Sequence, residues 1–299
     1  MDFMVDVRYV WQSLDCGLMR RLNDGKVGTS IPYIVLGQLQ NFTFPYPPLP
    51  EQRRIAAALG DVDKLIENLK KRVEKKKNLK RGAMQELLTG KRRLKGFTGA
   101  WVEKRLGEIG AFYGGLSGKS SKDFGVGDSR FITFMNVLSN VVIDRRMLGV
   151  VSVQPGEKQN LVQKGDLFFN GSSETPEEVA MCAALLEDLP NTYLNSFCCG
   201  FRLFDQQQDP LFVSYFFNSE AGREVVKTCA QGLTRYNLSK ETFLKQSMRW
   251  PKLSEQRAIA AVLSDMDAEI ANLEHKLKKV TLLKQGMMQD LLTGKVRLT

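Results

Sequence analysis

The sequence is poor in the side chains that most enzymes depend on. His275 is the only histidine in 299 residues. A Ser-His-Asp triad would have to use it, and a zinc site built mainly on histidine is excluded. It lies among Glu274, Lys276 and Lys278, in a setting that reads as a solvated helix face. The five cysteines, Cys16, Cys182, Cys198, Cys199 and Cys229, form no Cys-x-x-Cys pair, and their number is odd. They read as reduced thiols packed as small core residues, not as a disulfide framework or a zinc site. No run of about 18 apolar residues is present to span a membrane. The start, MDFMVDVRYVW, has no basic segment ahead of an apolar block, so it does not read as a secretory signal. Cytoplasmic location is the expectation.

Phosphate-binding and metal motifs are missing too. GGLSGKS at 114–120 approaches a phosphate loop, but the first glycine of Gly-x-x-x-x-Gly-Lys-Ser falls on Tyr113. The FFN at 168–170 is not a methyltransferase amino-group motif. Glu174, Glu177 and Glu178 cluster without a lysine at nuclease spacing. Catalysis, S-adenosylmethionine, ATP and metal are therefore not expected on this chain.

What the sequence does have is a repeat. Residues 47–94 align without a gap on 251–298, and 27 of the 48 positions are identical. The cores read EQRRIAAALGDVDKLIENL and EQRAIAAVLSDMDAEIANL, and the ends RGAMQELLTGKRRL and QGMMQDLLTGKVRL. Each copy predicts one long helix. Ser254 reads as an N-cap, Pro50 suits a first turn, and Gly90 and Gly294 suit the C-terminal stop. Ile55, Leu59, Val62, Ile66, Leu69 and Val73 recur in alternating steps of four and three. Ile259, Leu263, Met266, Ile270, Leu273, Leu277 and Val280 do so in the second copy. This is the seam of a coiled coil. At 1.5 Å per residue each rod is about 57 Å long. Antiparallel pairing brings the end of one rod beside the start of the next, where the intervening segment must begin and return.

Charge is spread unevenly over a chain of net charge +10. Residues 51–94 hold 14 Lys and Arg against 6 Asp and Glu, while 255–298 hold 7 against 6 and 96–250 hold 16 against 17. An excess of eight on one rod points to an anionic partner, of which a phosphate backbone is the obvious kind.

Residues 96–250 read as a compact mixed domain, which makes the fold class α+β: a mixed α/β domain plus two long helices in an antiparallel coiled coil. RFITFMNVL, VVIDRRML, KGDLFFNG and NSFCCGFRLF predict short strands, and LFVSYFFNSEAGREVVKTCAQG predicts helix. The loops GLSGKSSKDFGVGD, NGSSETPEE and QGLTRYNLSK carry side chains able to meet base edges and phosphates. The candidate DNA-contacting residues are Lys119, Ser121, Lys122, Arg130, Asn136, Arg145, Asn170, Ser172, Thr234, Arg235 and Asn237. Residues 1–46 resemble the end of this domain. YVWQS at 9–13 parallels YFFNS at 215–219, and Gly28-Thr29-Ser30 parallels Gly232-Leu233-Thr234. Most of an upstream equivalent is expected to be missing, which leaves Phe3, Val7, Tyr9, Trp11, Leu14 and Leu18 as apolar groups in need of shelter. The organisation is thus a remnant (1–46), a first rod (47–95), a domain (96–250) and a second rod (251–299).

PPLPEQRRIAAAL with LLTGKRRL, PKLSEQRAIAAVL with LLTGKVRL, WVEKRLGEIG and QKGDLFFNG together resemble the specificity subunit of type I restriction-modification enzymes. The resemblance covers essentially the whole chain. It implies a target-recognition domain that reads half of a split DNA sequence, and helical regions that bind methyltransferase subunits. It further implies S-adenosylmethionine and ATP on partner subunits, and a restriction subunit for cleavage. A single recognition domain implies a possible second copy of the chain, bringing the second reader. Two other readings stay open at the level of sequence: a truncated relic acting only as a coiled-coil module, and a DNA-modifying enzyme with an unrecognised active site.

Overall fold

A computed structural model of the chain describes residues 4–24, 42–205, 207–232 and 234–298, and the backbone alone for 17–24. Phe3, Gly28-Thr29-Ser30, Leu233 and the side chain of Leu18 lie outside what is described. The chain divides into two compact units, residues 1–77 with 268–299, and residues 78–267. The division passes through both long helices, α2 (Leu49–Leu87) and α8 (Leu253–Leu291). Both begin one residue before the expected cap, so Ser254 lies inside the first turn. Gly90 and Gly294 follow the helix ends at φ +71° and +77°, the left-handed geometry glycine favours there.

In the first unit α2 and α8 run antiparallel. Glu51 meets Arg297, Asp63 meets Lys284, Lys76 meets Glu269 and Lys77 meets Glu274, the last three at 2.7 Å. From Glu51 through Asp63 to Lys76 the partner number falls from 297 through 284 to 269. Leu69, Val73 and Leu273 share one buried cluster, with Leu277 and Val280 against it. Ile55 and Leu59 join Met288, Leu291, Leu292 and Tyr9 in another. Tyr9 belongs to α1 (Val7–Asp24). Its ring is fully buried and its hydroxyl donates to the Pro45 carbonyl at 2.7 Å. Tyr9 therefore finds shelter against the long helices, while Val7 and Trp11 remain 79% and 70% exposed.

The second unit contains the domain, the end of α2 and the start of α8. β1 (Val102–Arg105) pairs with β12 (Ser247–Trp250), so the domain's first and last strands close on one another. The central sheet has the order β2 (Gly110–Gly114), β9 (Cys198–Leu203), β5 (Leu167–Asn170), β7 (Cys182–Ala184). β5 is buried on both faces. Leu167 and Phe169 enter one core, and Phe168 enters a second with Ala183, Leu194 and Cys198. That is why its sequence is a continuous apolar run and not an alternation. A second sheet has the order β4 (Leu148–Val151), β3 (Phe124–Ile132), β8 (Thr192–Leu194). A third has the order β10 (Ala230–Gln231), β11 (Tyr236–Leu238), β6 (Ser172–Ser173). Short helices α3 (Leu106–Ile109), α4 (Phe134–Ser139), α5 (Pro210–Phe217), α6 (Glu220–Cys229) and α7 (Lys240–Lys245) complete it.

Three expectations are corrected. FMNVL continues as helix, not strand: the Thr133 hydroxyl accepts from the Asn136 amide and starts α4. The seam is not one stripe between two rods. Ile259, Leu263 and Met266 pack with Leu87 and Leu88 into the domain core, because α5 and the sheet supply apolar partners there. Finally, α1 matches α5 three residues from the register of YVWQS on YFFNS. Asp6 and Asp209 each cap a helix, accepting from the amides of Tyr9 and Phe212. The backbone amides of Asp6 and Asp209 donate to Gln52 and Gln256 at 3.0 and 2.8 Å. Those glutamines each donate to a proline carbonyl, Pro47 and Pro251. The glutamine of each EQR motif therefore stitches a neighbouring helix start to the first turn of a long helix.

Candidate nucleic-acid interface

The polar interior of the domain is built around Asp166, which is 1% exposed. Arg202 donates to both its carboxylate oxygens at 2.8 and 2.7 Å, Tyr113 through its hydroxyl at 2.6 Å, and the Gln163 amide at 2.8 Å. The Arg202 guanidinium also lies 4.8 Å from the Tyr113 ring centre. Burial, and then the Asp166 carboxylate, push the Tyr113 hydroxyl far above the ordinary tyrosine range. Tyr113, which breaks the phosphate-loop spacing, thus anchors β2 to the turn before β5. The motif QKGDLFFNG gives no sign of this network, since the Arg202 and Tyr113 partners of Asp166 are 36 and 53 residues away.

Three candidate contact residues are spent inside the fold. Asn136 is fully buried, donating to the Asp144 carbonyl at 2.8 Å and accepting from the Asp144 amide at 2.9 Å. Asn170 is fully buried, donating to the Glu178 carbonyl at 2.8 Å and accepting from the Met181 amide at 2.6 Å. The Lys119 side chain is 6% exposed and paired with Glu157. A buried amide with its bonds made, or a buried ammonium already neutralised, has nothing left for DNA. Asn136, Asn170 and Lys119 are corrected to structural positions.

The others stay at the surface in separate places. Ser121 and Lys122 are exposed on a 3-10 turn before β3, and Arg130 is exposed on β3. Arg145, on another 3-10 turn, lies 3.3 Å from Glu187. Beside it Arg146 holds Asp144 well below the usual carboxylate range, at about 2. Ser172 and Asn237 stand opposite one another on the β6–β11 ladder, and Thr234 and Arg235 lie just ahead of β11. Ser172 is 8% exposed and accepts from Arg235, while Thr234, Arg235 and Asn237 are exposed. Phe197, absent from the sequence candidates, is 59% exposed, and its carbonyl accepts from the Gly171 amide beside β6. An isolated phenylalanine between serine and cysteine gave no signal of exposure.

His275 is exposed on α8. Burial raises the thiols of Cys182, Cys198 and Cys199, that of Cys199 to about 12, so none is poised as a nucleophile. Among the described residues no set of three or more His, Cys, Asp or Glu gathers as a metal site would require. Among them, too, no helix is long and apolar enough to cross a membrane.

Comparison with known proteins adds three findings. Residues 15–76 and 99–282 match the sequence family described as type I restriction modification DNA specificity domain. The type I restriction enzyme MjaVIII specificity subunit of Methanocaldococcus jannaschii is 26% identical over 286 residues. The putative MjaX specificity subunit of the same organism is 24% identical over 273. The alignments take in 90% and 87% of this chain, which spans 66% and 60% of those proteins' lengths. Two solved structures share the fold at 17% identity. The HsdS subunit from Thermoanaerobacter tengcongensis has a TM-score of 0.54, over 98% of this chain and 71% of its own. The S subunit from M. genitalium has a TM-score of 0.58, over 96% and 73%.

Proposed function

The chain belongs to the type I restriction-modification DNA specificity family, and from that premise we propose that it is the sequence-reading, non-catalytic subunit of such a system. Its task is to hold methyltransferase and restriction subunits on double-stranded target DNA in the cytoplasm, with S-adenosylmethionine and ATP bound by those partners. The observation that carries the reading is the family match, which takes in most of both long helices and the domain between them. The domain supports it with exposed polar side chains: Lys122 on a 3-10 turn, Arg130 on β3, Thr234 and Arg235 just ahead of β11, and Asn237 on β11. Phosphate contacts would position the protein, and base-edge contacts would specify the sequence.

The helices would serve as the frame for partner subunits, and a second copy of the chain would bring the second reader. Incubation of the purified chain with DNA, magnesium, ATP and labelled S-adenosylmethionine is expected to give neither methyl transfer nor cutting. With the methyltransferase subunit added, methylation at one defined sequence is expected. Methylation by the isolated chain, or sequence-blind methylation by the pair, overturns the reading.

A further inference from the structure

Arg235 is the one exposed candidate whose side chain is both fixed and chemically unspent. It lies three residues after Gly232, whose φ is +127° and where a Cβ would lie 2.0 Å from the Arg235 carbonyl oxygen. Only glycine fits such a place. The Asn237 side-chain Nδ2 donates to the same carbonyl at 3.3 Å. Nε and Nη2 of Arg235 donate to Ser172 Oγ at 3.3 and 3.1 Å. Ser172 is held in turn by the β6–β11 ladder. Backbone and guanidinium are thus both oriented.

Arg81 donates to Asn78 on α2, outside the domain; the other arginines held in this unit are used up. Arg93, Arg145, Arg146 and Arg202 each face a carboxylate. Arg223 donates to the carbonyls of Val179 and Ala180. Arg235 is held by a neutral hydroxyl, and among the described residues no carboxylate pairs with it. Its charge remains available.

A guanidinium carries five N–H donors in one plane. Ser172 occupies the edge formed by Nε and one hydrogen of Nη2. The remaining edge, Nη1 with the second hydrogen of Nη2, presents two parallel donors. That pair matches the O6 and N7 acceptors of guanine in the major groove, the commonest arginine readout. A phosphate contact needs charge but little orientation. A fixed edge loses less entropy on binding and gains discrimination.

We propose that Arg235 reads a guanine through this free edge and that Ser172 is the positioning residue that aims it. This rests on the reading of the chain as a DNA-recognition subunit. The test is selection from a random duplex pool by the full chain, as wild type, Arg235→Ala and Ser172→Ala. The selected duplex is then remade with 7-deazaguanine, which lacks the N7 acceptor, at each guanine in turn. One guanine is expected to be lost from the motif of Arg235→Ala, with affinity for the selected duplex falling about 5- to 150-fold. Deaza substitution at that guanine is expected to weaken the wild type and leave Arg235→Ala unchanged. Ser172→Ala should keep the same preferred guanine at reduced discrimination, with an unchanged salt slope. The wild-type deaza series needs no variant to fold. A motif retained by Arg235→Ala, with all duplexes bound more weakly and the salt slope reduced, makes Arg235 a phosphate contact and overturns this inference alone. A wild-type chain that selects no motif overturns the DNA reading and this inference with it.

Discussion

Glu51 and Arg297 form a two-pronged ion pair across 246 residues of chain, at 2.7 and 2.6 Å, and the Leu298 amide adds a third bond to the same carboxylate at 3.2 Å. The repeat makes the same pair again, Glu255 with Arg93. Asp63 with Lys284 is likewise repeated as Asp267 with Lys80. In each unit the start of one copy is bound to the end of the other, so the duplicated charges specify antiparallel pairing as the seam alone cannot.

The first prediction concerns pH. The Arg297 guanidinium, helped by the Leu298 amide, holds the Glu51 carboxyl below its usual value. A depressed carboxylate contributes stability that is present above its unfolded value and lost as pH falls through the folded one. Urea midpoints measured downward from neutrality should therefore fall through the acidic carboxylate range. Glu51→Gln should lower the midpoint at neutral pH and remove part of that slope. A wild-type and variant difference that does not change with pH contradicts the assignment.

A second prediction concerns the middle of the helix pair. Leu69 is 1% exposed, Leu273 is 9% exposed, and both lie in one small cluster with Val73. Leu→Ala at either site should cost about 2–5 kcal/mol. The double variant should cost clearly less than the sum, because only residues sharing a contact or cavity couple. Clean additivity in denaturant titrations would mean separate packing.

The long helices were legible because a gapless repeat agreed with an apolar spacing that only a helix gives a purpose, and their antiparallel pairing because the segment between them must leave one rod and enter the next. Their ends misled, because apolar spacing does not say which neighbour a residue meets. Leu69 meets the opposite helix, whereas Leu263 meets the recognition domain's core. The candidate site was legible as a set of loops but not residue by residue. Asn170 and Asn237 look alike in sequence. One is clamped between the Glu178 carbonyl and the Met181 amide, and the other is exposed on a strand opposite Ser172, with its side chain donating to the Arg235 carbonyl. The contacts of Asn170 depend on how the chain folds back over the next 8 to 11 residues, and side-chain type alone does not foresee them.

That distinction gives a third prediction. Asn136→Ala and Asn170→Ala each strand buried backbone groups, a loss of about 1–3 kcal/mol apiece. Both should lower the melting temperature. At temperatures where they remain folded, their sequence preference in duplex selection should match the wild type. A shifted preference with unchanged stability would return them to the interface.

A fourth prediction tests self-association. If two copies form the working reader, the solution mass with the proposed methyltransferase subunit should correspond to two chains. The methylated target should then be a split site with symmetry-related halves, since site symmetry mirrors protein symmetry. A complex holding one chain, or a target with unrelated halves, rules the two-copy arrangement out.

The last prediction separates charge at the surface from charge already spent. Lys122 and Arg130 are exposed, whereas Lys119 is buried against Glu157, whose carboxylate it holds below the usual range. Each phosphate neutralised contributes about 0.9 to the slope of log affinity against log salt. Lys122→Ala and Arg130→Ala should each lower that slope by about one wherever a phosphate is contacted, and weaken all duplexes alike. Lys119→Met should leave the slope unchanged, because its counterion is a carboxylate of the same fold. It should lower stability instead, since Glu157 is left without its partner beside the Ser117–Gln159 bonds that tie the two loops together. Measuring affinity at several salt concentrations and thermal stability on the same three variants decides the matter. A salt slope that falls in Lys119→Met, or holds in both of the others, would reverse the roles assigned to these residues.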